Sequence, residues 1–255
     1  MNSATVPSYA LVLFFIVNLH HALPMAAQNM QVANANSGLF TPQSLISTIF
    51  LGDGVELVNI SYTGEPKAVG YFTNGQMAVG LGRGIVMSSG LTETADPLLA
   101  QYGSTENGKL FGNTNLLGYI PGADPDLSLL ATNLLYDISS FVITFIPSSD
   151  TLRFRYCFAS EEYPEYGCSG YNDIFGFFIQ GPNYPSSTNL ALIPGSNLPV
   201  SINNINPDNT TLSQFCPPKN AQYYIDNNGT NTQPIYDGLT QVFVAEAIVV
   251  PCQTY

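Results

Sequence analysis

A chain of 255 residues is long enough for one large β domain or two small ones. Charged residues make up 9% and apolar residues 45%, which excludes a disordered chain. The net charge of −12, with only six Lys and Arg, excludes nucleic-acid binding and adhesion to an anionic lipid surface, and it favours cations.

The only histidines are His20 and His21. Both fall within residues 1–28, which read as a secretory signal: Tyr9 to Val17 is an apolar core, followed by small residues at Ala26 and Ala27. The mature chain would then have no His and no Trp. That removes Ser-His-Asp and Cys-His catalysis and every His-ligated metal site. Carboxylate, amide, hydroxyl, carbonyl and thiol chemistry remain. No later stretch is long and apolar enough for a transmembrane helix.

Residues 29–37 are a polar lead-in. Thr41-Pro42 opens a short helix, with Leu45, Ile46, Ile49 and Phe50 on one side and Gly52 to Gly54 at its end. Val55 to Tyr62 alternates as a strand, placing Val55, Leu57, Asn59 and Ser61 opposite Glu56, Val58, Ile60 and Tyr62. Ala68 to Phe72 and Gly84 to Ser88 are strands around Gly75, Gly80 and Gly82. No GKS or GKT and no helix pattern follow these glycines, so they read as turns, not a phosphate loop. Leu91 to Tyr119 reads as a long surface loop. Asp124-Pro125 opens a second helix with Leu127, Leu130, Ala131 and Leu134 at helical spacing.

Phe141 to Ile146 is a strand, and the most informative stretch follows it. In LRFRYCFASEEYPEYGCSGYNDIFGFFIQ (152–180), Leu152, Phe154, Tyr156 and Phe158 alternate with Arg153, Arg155 and Cys157. A second apolar run covers Ile174 to Ile179. Between them four of the chain's 18 acids, Glu161, Glu162, Glu165 and Asp173, fall within 13 positions. Asn189 to Ile193, Pro199 to Ile205 and Gln241 to Val250 are further strands, and Pro207 to Thr232 is loop-like. The expected fold is all-β: one domain over residues 38–255, a two-sheet β-sandwich of jelly-roll type with two short helices.

Hard divalent cations take about six to eight oxygen ligands. Glu161, Glu162, Asn172 and Asp173 are the candidate metal ligands, with Ca²⁺ the candidate cofactor. The competing reading pairs one carboxylate with Arg153 or Arg155 and turns the others to water. Asp124 and Asp126 read first as helix N-caps, and Asp237 as a turn residue. Cys157, Cys168, Cys216 and Cys252 are even in number after a signal, so disulfides are expected. Three connectivities are open, with Cys168–Cys216 favoured because both lie in loops. Tyr163, Tyr166 and Tyr171 flank the acidic loop and are candidate ligand-facing aromatics. Coplanar exposed rings would favour a glycan. Glycoside hydrolysis would instead use two of Glu161, Glu162, Glu165 and Asp173, with carboxyls about 5–10 Å apart across a cleft.

Several phrases carry a resemblance: GLFTPQSLISTIFLGDGVELVNISYTG (38–64), AVGYFTNG (68–75), GRGIVMSSG (82–90), FASEEYPEY and YNDIFGFFI within 145–182, YDGLT (236–240) and VVPCQTY (249–255). In this order they resemble the choice-of-anchor L domain family of secreted bacterial surface proteins. The resemblance implies export, cell-surface association and a structural or adhesive role without enzymatic activity. It implies an unidentified surface ligand, glycan or protein as partner, and membrane attachment only through a C-terminal anchor; the acidic charge balance already argues against nucleic acid. Members usually continue beyond the VPC-x-x-Y phrase, so the resemblance also implies truncation at Tyr255.

Overall fold

The computed structural model describes residues 30–35, 37–90, 92, 121–131, 134–208, 216–227, 234 and 236–255. The expected signal at 1–28 lies outside them, as do almost all of Leu91 to Tyr119 and part of Pro207 to Thr232.

Fourteen described strands follow in chain order: β1 (Gln31–Asn34), β2 (Val55–Thr63), β3 (Val69–Thr73), β4 (Arg83–Met87), β5 (Pro121–Gly122), β6 (Leu135–Tyr136), β7 (Ser140–Pro147), β8 (Thr151–Tyr156), β9 (Ala159–Ser160), β10 (Phe178–Gly181), β11 (Tyr184–Asn189), β12 (Tyr224–Asp226), β13 (Gly238–Thr240) and β14 (Phe243–Ile248). They pair as six small sheets: β1-β3-β4, β2-β7, β14-β8, β10-β11, β12-β13-β9 and β5-β6. Every pairing is antiparallel.

Two short helices join them, α1 (Pro42–Leu45) and α2 (Gln76–Val79). The first starts where Thr41 and Ser44 form a reciprocal capping box around Pro42, then widens into a π turn over Ile46–Phe50. Its partner is not the expected one. Asp124 caps only a single 3-10 turn, Leu127–Leu129, through its Oδ1, which accepts from the amides of Asp126 and Leu127 at 3.0 Å each. Leu129 and Leu134 stay exposed, so no core face drives a longer helix there. The second helix lies instead in the glycine segment, where left-handed Gly80 (φ 71°) ends α2.

The alternation expected for β2 changes phase halfway. A bulge between Leu57 and Asn59 leaves Val58 outside, and Ile60 and Tyr62 then return to the covered side. Pro199 to Ile205 is not a strand but a turn held by isolated bridges, Ile174↔Ser201 and Leu192↔Pro199. Its Val200, Ile202 and Ile205 nevertheless fill the core.

The main core joins both sides of the central stretch. Tyr156, Phe158 and Tyr163 pack with Ala191, Ile193, Val200, Ile202, Ile205, Phe243 and Ala245. The β8–β14 ladder explains this: Tyr156 pairs with Phe243 and Phe154 with Ala245, while Arg153 and Glu246 meet on the outer face. Apolar alternation on both strands points the same way, so one face is buried and the other wet. A second cluster gathers Ile179, Ala247, Val249 and Tyr255, and a third gathers Ala35, Leu45 and Val69.

A candidate acidic site

The acidic loop leaves β9 and returns through residues 171–177 to β10. Its first anchor is Ser160. The Ser160 hydroxyl donates to Asp173 Oδ2 at 2.7 Å and accepts the amide of Glu162 at 3.0 Å. One short side chain therefore ties the start of the loop to its end. The second anchor is a disulfide, Cys168–Cys216, with Cα atoms 5.6 Å apart. The third is Asn203, whose Oδ1 accepts from the amide of Cys168 at 2.6 Å and whose Nδ2 donates to Ser169 O at 3.1 Å.

Between these anchors the carboxylates repel one another. Glu162 is pushed up to about 7, first by burial, then by Asp173, Glu161 and Glu165. Burial pushes Asp173 up as well, against the Ser160 hydrogen bond. β13 pairs with β9 (Gly238↔Ser160) and with β12 (Asp226↔Gly238), which carries two further acids to the loop. Asp237 is raised to about 6 by burial, Glu165 and Asp226. Tyr236 stands beside them, raised to about 12 by burial, with a hydrogen bond to Ser88 and with Asp173 and Glu161 nearby. Sequence reading left Asp226, Asp237 and Tyr236 out of the site. The YDGLT phrase covers Tyr236 and Asp237 but not Asp226, and each becomes a neighbour of the loop only through long-range pairing.

Arginine does not neutralise this cluster. Arg153 pairs with Glu246 at 2.5 Å on the outer face, and Arg155 donates to Gly80 O at 3.4 Å. Strand alternation turns both away from the core side, so the arginine-paired loop is overturned. Asn172 is also directed elsewhere: its Oδ1 accepts the amide of Asn203 at 3.1 Å. Among the described residues, no three His, Cys, Asp or Glu side chains converge closely enough to hold a metal ion as they stand.

Of the three tyrosines, Tyr163 does not face a ligand. It is fully buried, donates its hydroxyl to Ile205 O at 2.6 Å, and packs its ring on Tyr224. Its apolar neighbours made it core, which spacing along the loop does not reveal. Tyr166 and Tyr171 are exposed and meet edge to face, 5.3 Å apart at 73°, not coplanar.

The cysteines divide into one disulfide and two thiols. Cys157 is held inside, donates to Thr240 O at 3.2 Å, and is pushed up to about 11 by burial. Cys252 is exposed. The ladder from Tyr156↔Phe243 to Thr151↔Ile248 separates the two by a strand length, about 17–20 Å, which no disulfide spans.

Among the described residues, no helix is long and apolar enough to cross a membrane. No curated protein and no solved structure matches the chain. The sequence pattern of the choice-of-anchor L domain does match, over residues 32–255, from β1 through the acidic loop to the final tyrosine. The chain belongs to the choice-of-anchor L domain family.

Proposed function

We propose that this chain is a non-catalytic structural or adhesive module of a bacterial cell-surface protein, with an acidic loop that Ca²⁺ stabilises. Family membership supports the surface-associated role. The small antiparallel sheets, packed around three apolar clusters, are consistent with a two-sheet sandwich of jelly-roll type. One observation carries the calcium reading. Glu162 and Asp237 are both held well above ordinary carboxylates, first by burial and then by neighbouring acids, and among the described residues no basic side chain contributes to either shift. A divalent cation relieves that repulsion when Glu161, Glu162 and Asp173 close around it, with carbonyls and water completing the shell.

Thermal unfolding with excess Ca²⁺ and with chelator tests this reading. At about a hundredfold excess over Kd, a ligand of the native state alone adds roughly 2.7 kcal/mol. Loss of the shift in Glu162→Gln assigns it to the loop. An unchanged midpoint in wild type rejects the calcium reading.

A second reading makes the module a carbohydrate binder. The exposure of Tyr166 and Tyr171 at the rim of the acidic loop supports it, while their edge-to-face arrangement does not form the coplanar platform a sugar ring stacks on. Glycan-array binding that disappears in the Tyr171→Ala variant would support it.

A further inference from the structure

Tyr166 and Tyr171 present their rings from one cross-linked turn. The amide of Tyr166 donates to Glu162 O at 3.0 Å, and the carbonyl of Tyr166 accepts the amide of Ser169 at 3.0 Å. The Ser169 hydroxyl oxygen accepts the amide of Tyr171 at 3.0 Å. Between the two tyrosines, Cys168 is bonded to Cys216 through sulfur and to Asn203 Oδ1 through its amide. The backbone under both rings is therefore tied down, while the side chains stand 45% and 68% exposed. Exposed rings on a fixed backbone are preorganised, so little conformational entropy is lost when a ligand lands on them.

Their geometry selects the ligand. The rings meet edge to face, with centroids 5.3 Å apart and planes at 73°. One ring stands on the face of the other, so the pair forms a corner with a π face on each wall. A flat sugar ring covers one wall only. A compact cation fills the corner, because both faces carry negative potential. Charge agrees: exposed Glu165 immediately precedes Tyr166, and Glu162 lies one turn before it. Lys219, a basic side chain bonded to the supporting turn, is engaged with Asn203 O at 3.2 Å. Hydrogen bonding narrows the cation further. The carbonyls of Glu162, Pro164, Tyr166 and Tyr171 already accept from within the turn. An ammonium or guanidinium that gives up water there finds few fresh carbonyl acceptors. A trimethylammonium group has no N–H to satisfy and presents methyl groups to both faces.

We propose that the corner between Tyr166 and Tyr171 binds a trimethylammonium group that has no adjoining anion. The two rings supply the contact, and Glu162 and Glu165 supply the attraction that draws the cation in. A phosphate or carboxylate beside the ammonium would meet the same carboxylates and be repelled. The proposal rests on the adhesive reading above for its role and gives that reading a ligand chemistry. It does not rest on calcium, which would neutralise these carboxylates, so its test is run in chelator.

Titration calorimetry of the full chain with choline tests this. Choline is expected to bind, and its neutral tert-butyl analogue to bind at least about fivefold more weakly, the roughly 1 kcal/mol of an exposed cation–π contact. Ethanolamine, with a strongly hydrated primary ammonium, and phosphocholine, with an adjoining phosphate, should each bind at least about fivefold more weakly than choline. Tyr166→Ala and Tyr171→Ala should each weaken choline at least about threefold, while Tyr171→Phe, which keeps the face, stays within about twofold of wild type. Native near-UV circular dichroism shows that the variants fold. If an alanine variant does not, nuclear Overhauser contacts in wild type from the choline methyls to the Tyr166 and Tyr171 rings are the expected result, and contacts to neither ring overturn the proposal. No saturable choline binding up to about 10 mM also overturns it. So does equal binding of the neutral analogue, which would mean apolar adsorption, or of ethanolamine, which would mean attraction to the acidic loop alone. Equal or tighter binding of phosphocholine, or undiminished binding in folded alanine variants, overturns it too. Choline binding in a chain that Ca²⁺ does not stabilise would reject the calcium reading and leave this one standing.

Discussion

The Ser160 hydroxyl stands between the two ends of the acidic loop, donating to Asp173 and accepting from the amide of Glu162. The same contact holds two mutually repelling carboxylates close together. The loop is therefore built under electrostatic load, and its stability should depend on pH in an unusual direction.

Glu162 titrates near 7 in the folded chain and Asp237 near 6, both above their ordinary values. A raised folded pKa gives stability that is complete below the unfolded value and lost as pH rises through the folded one. Unfolding free energy in urea should therefore fall between about pH 4 and pH 7 in chelator. One pKa unit corresponds to about 1.4 kcal/mol, and solvent screening of these part-exposed groups reduces the total to about 1–2 kcal/mol. Glu162→Gln should flatten the decline, and Ca²⁺ should oppose it. Stability rising over this range would contradict the electrostatic account.

Tyr163 should matter for folding more than for binding. Its hydroxyl satisfies the buried Ile205 carbonyl, and its ring lies against Gly238. Tyr163→Phe should cost about 1–2 kcal/mol by leaving that carbonyl unpaired. Tyr163→Ala should cost about 3–5 kcal/mol through the cavity it opens. Denaturant midpoints at constant m-value measure both.

Tyr156 makes the opposite case. Its hydroxyl is buried without a described partner, and burial pushes its pKa upward. Tyr156→Phe should leave the free protein unchanged or more stable by about 1 kcal/mol, because desolvation of an unpaired group is relieved. A loss of stability would reveal a partner for the hydroxyl.

The Cys168–Cys216 bond closes a separation of 48 residues, worth about 4 kcal/mol in chain entropy. Replacing both cysteines with alanine should lower the thermal midpoint and loosen proteolytic protection of residues 161–173. In native protein, iodoacetamide should label exposed Cys252 quickly. It should reach Cys157 only on unfolding, because burial holds that thiol near 11. Two fast-reacting thiols would contradict the packing of Cys157.

How much of this was legible in advance depended on the range of the forces involved. Alternation in Leu152 to Phe158 fixed a strand with one apolar face, since side chains of a strand point in turn to opposite sides. Thr41-Pro42 fixed a helix start, because capping is satisfied within four residues. The clustered acids announced themselves by local density, and the family was carried by phrases spread along the chain.

Tertiary structure alone decided the rest. The bulge at Val58 reverses the face of β2, which no periodicity foresees. Strands β9, β12 and β13 are too short for a pattern, yet their pairing brings Asp226 and Asp237 to the loop. Tyr163 and Tyr171 are similar residues eight positions apart; one is core and the other surface, because Ile205 and Tyr224 fold back onto only the first. The arginines were near the acids in sequence but on the opposite face of the sheet. Local chemistry named the acidic loop, and only long-range backbone pairing determined what surrounds it.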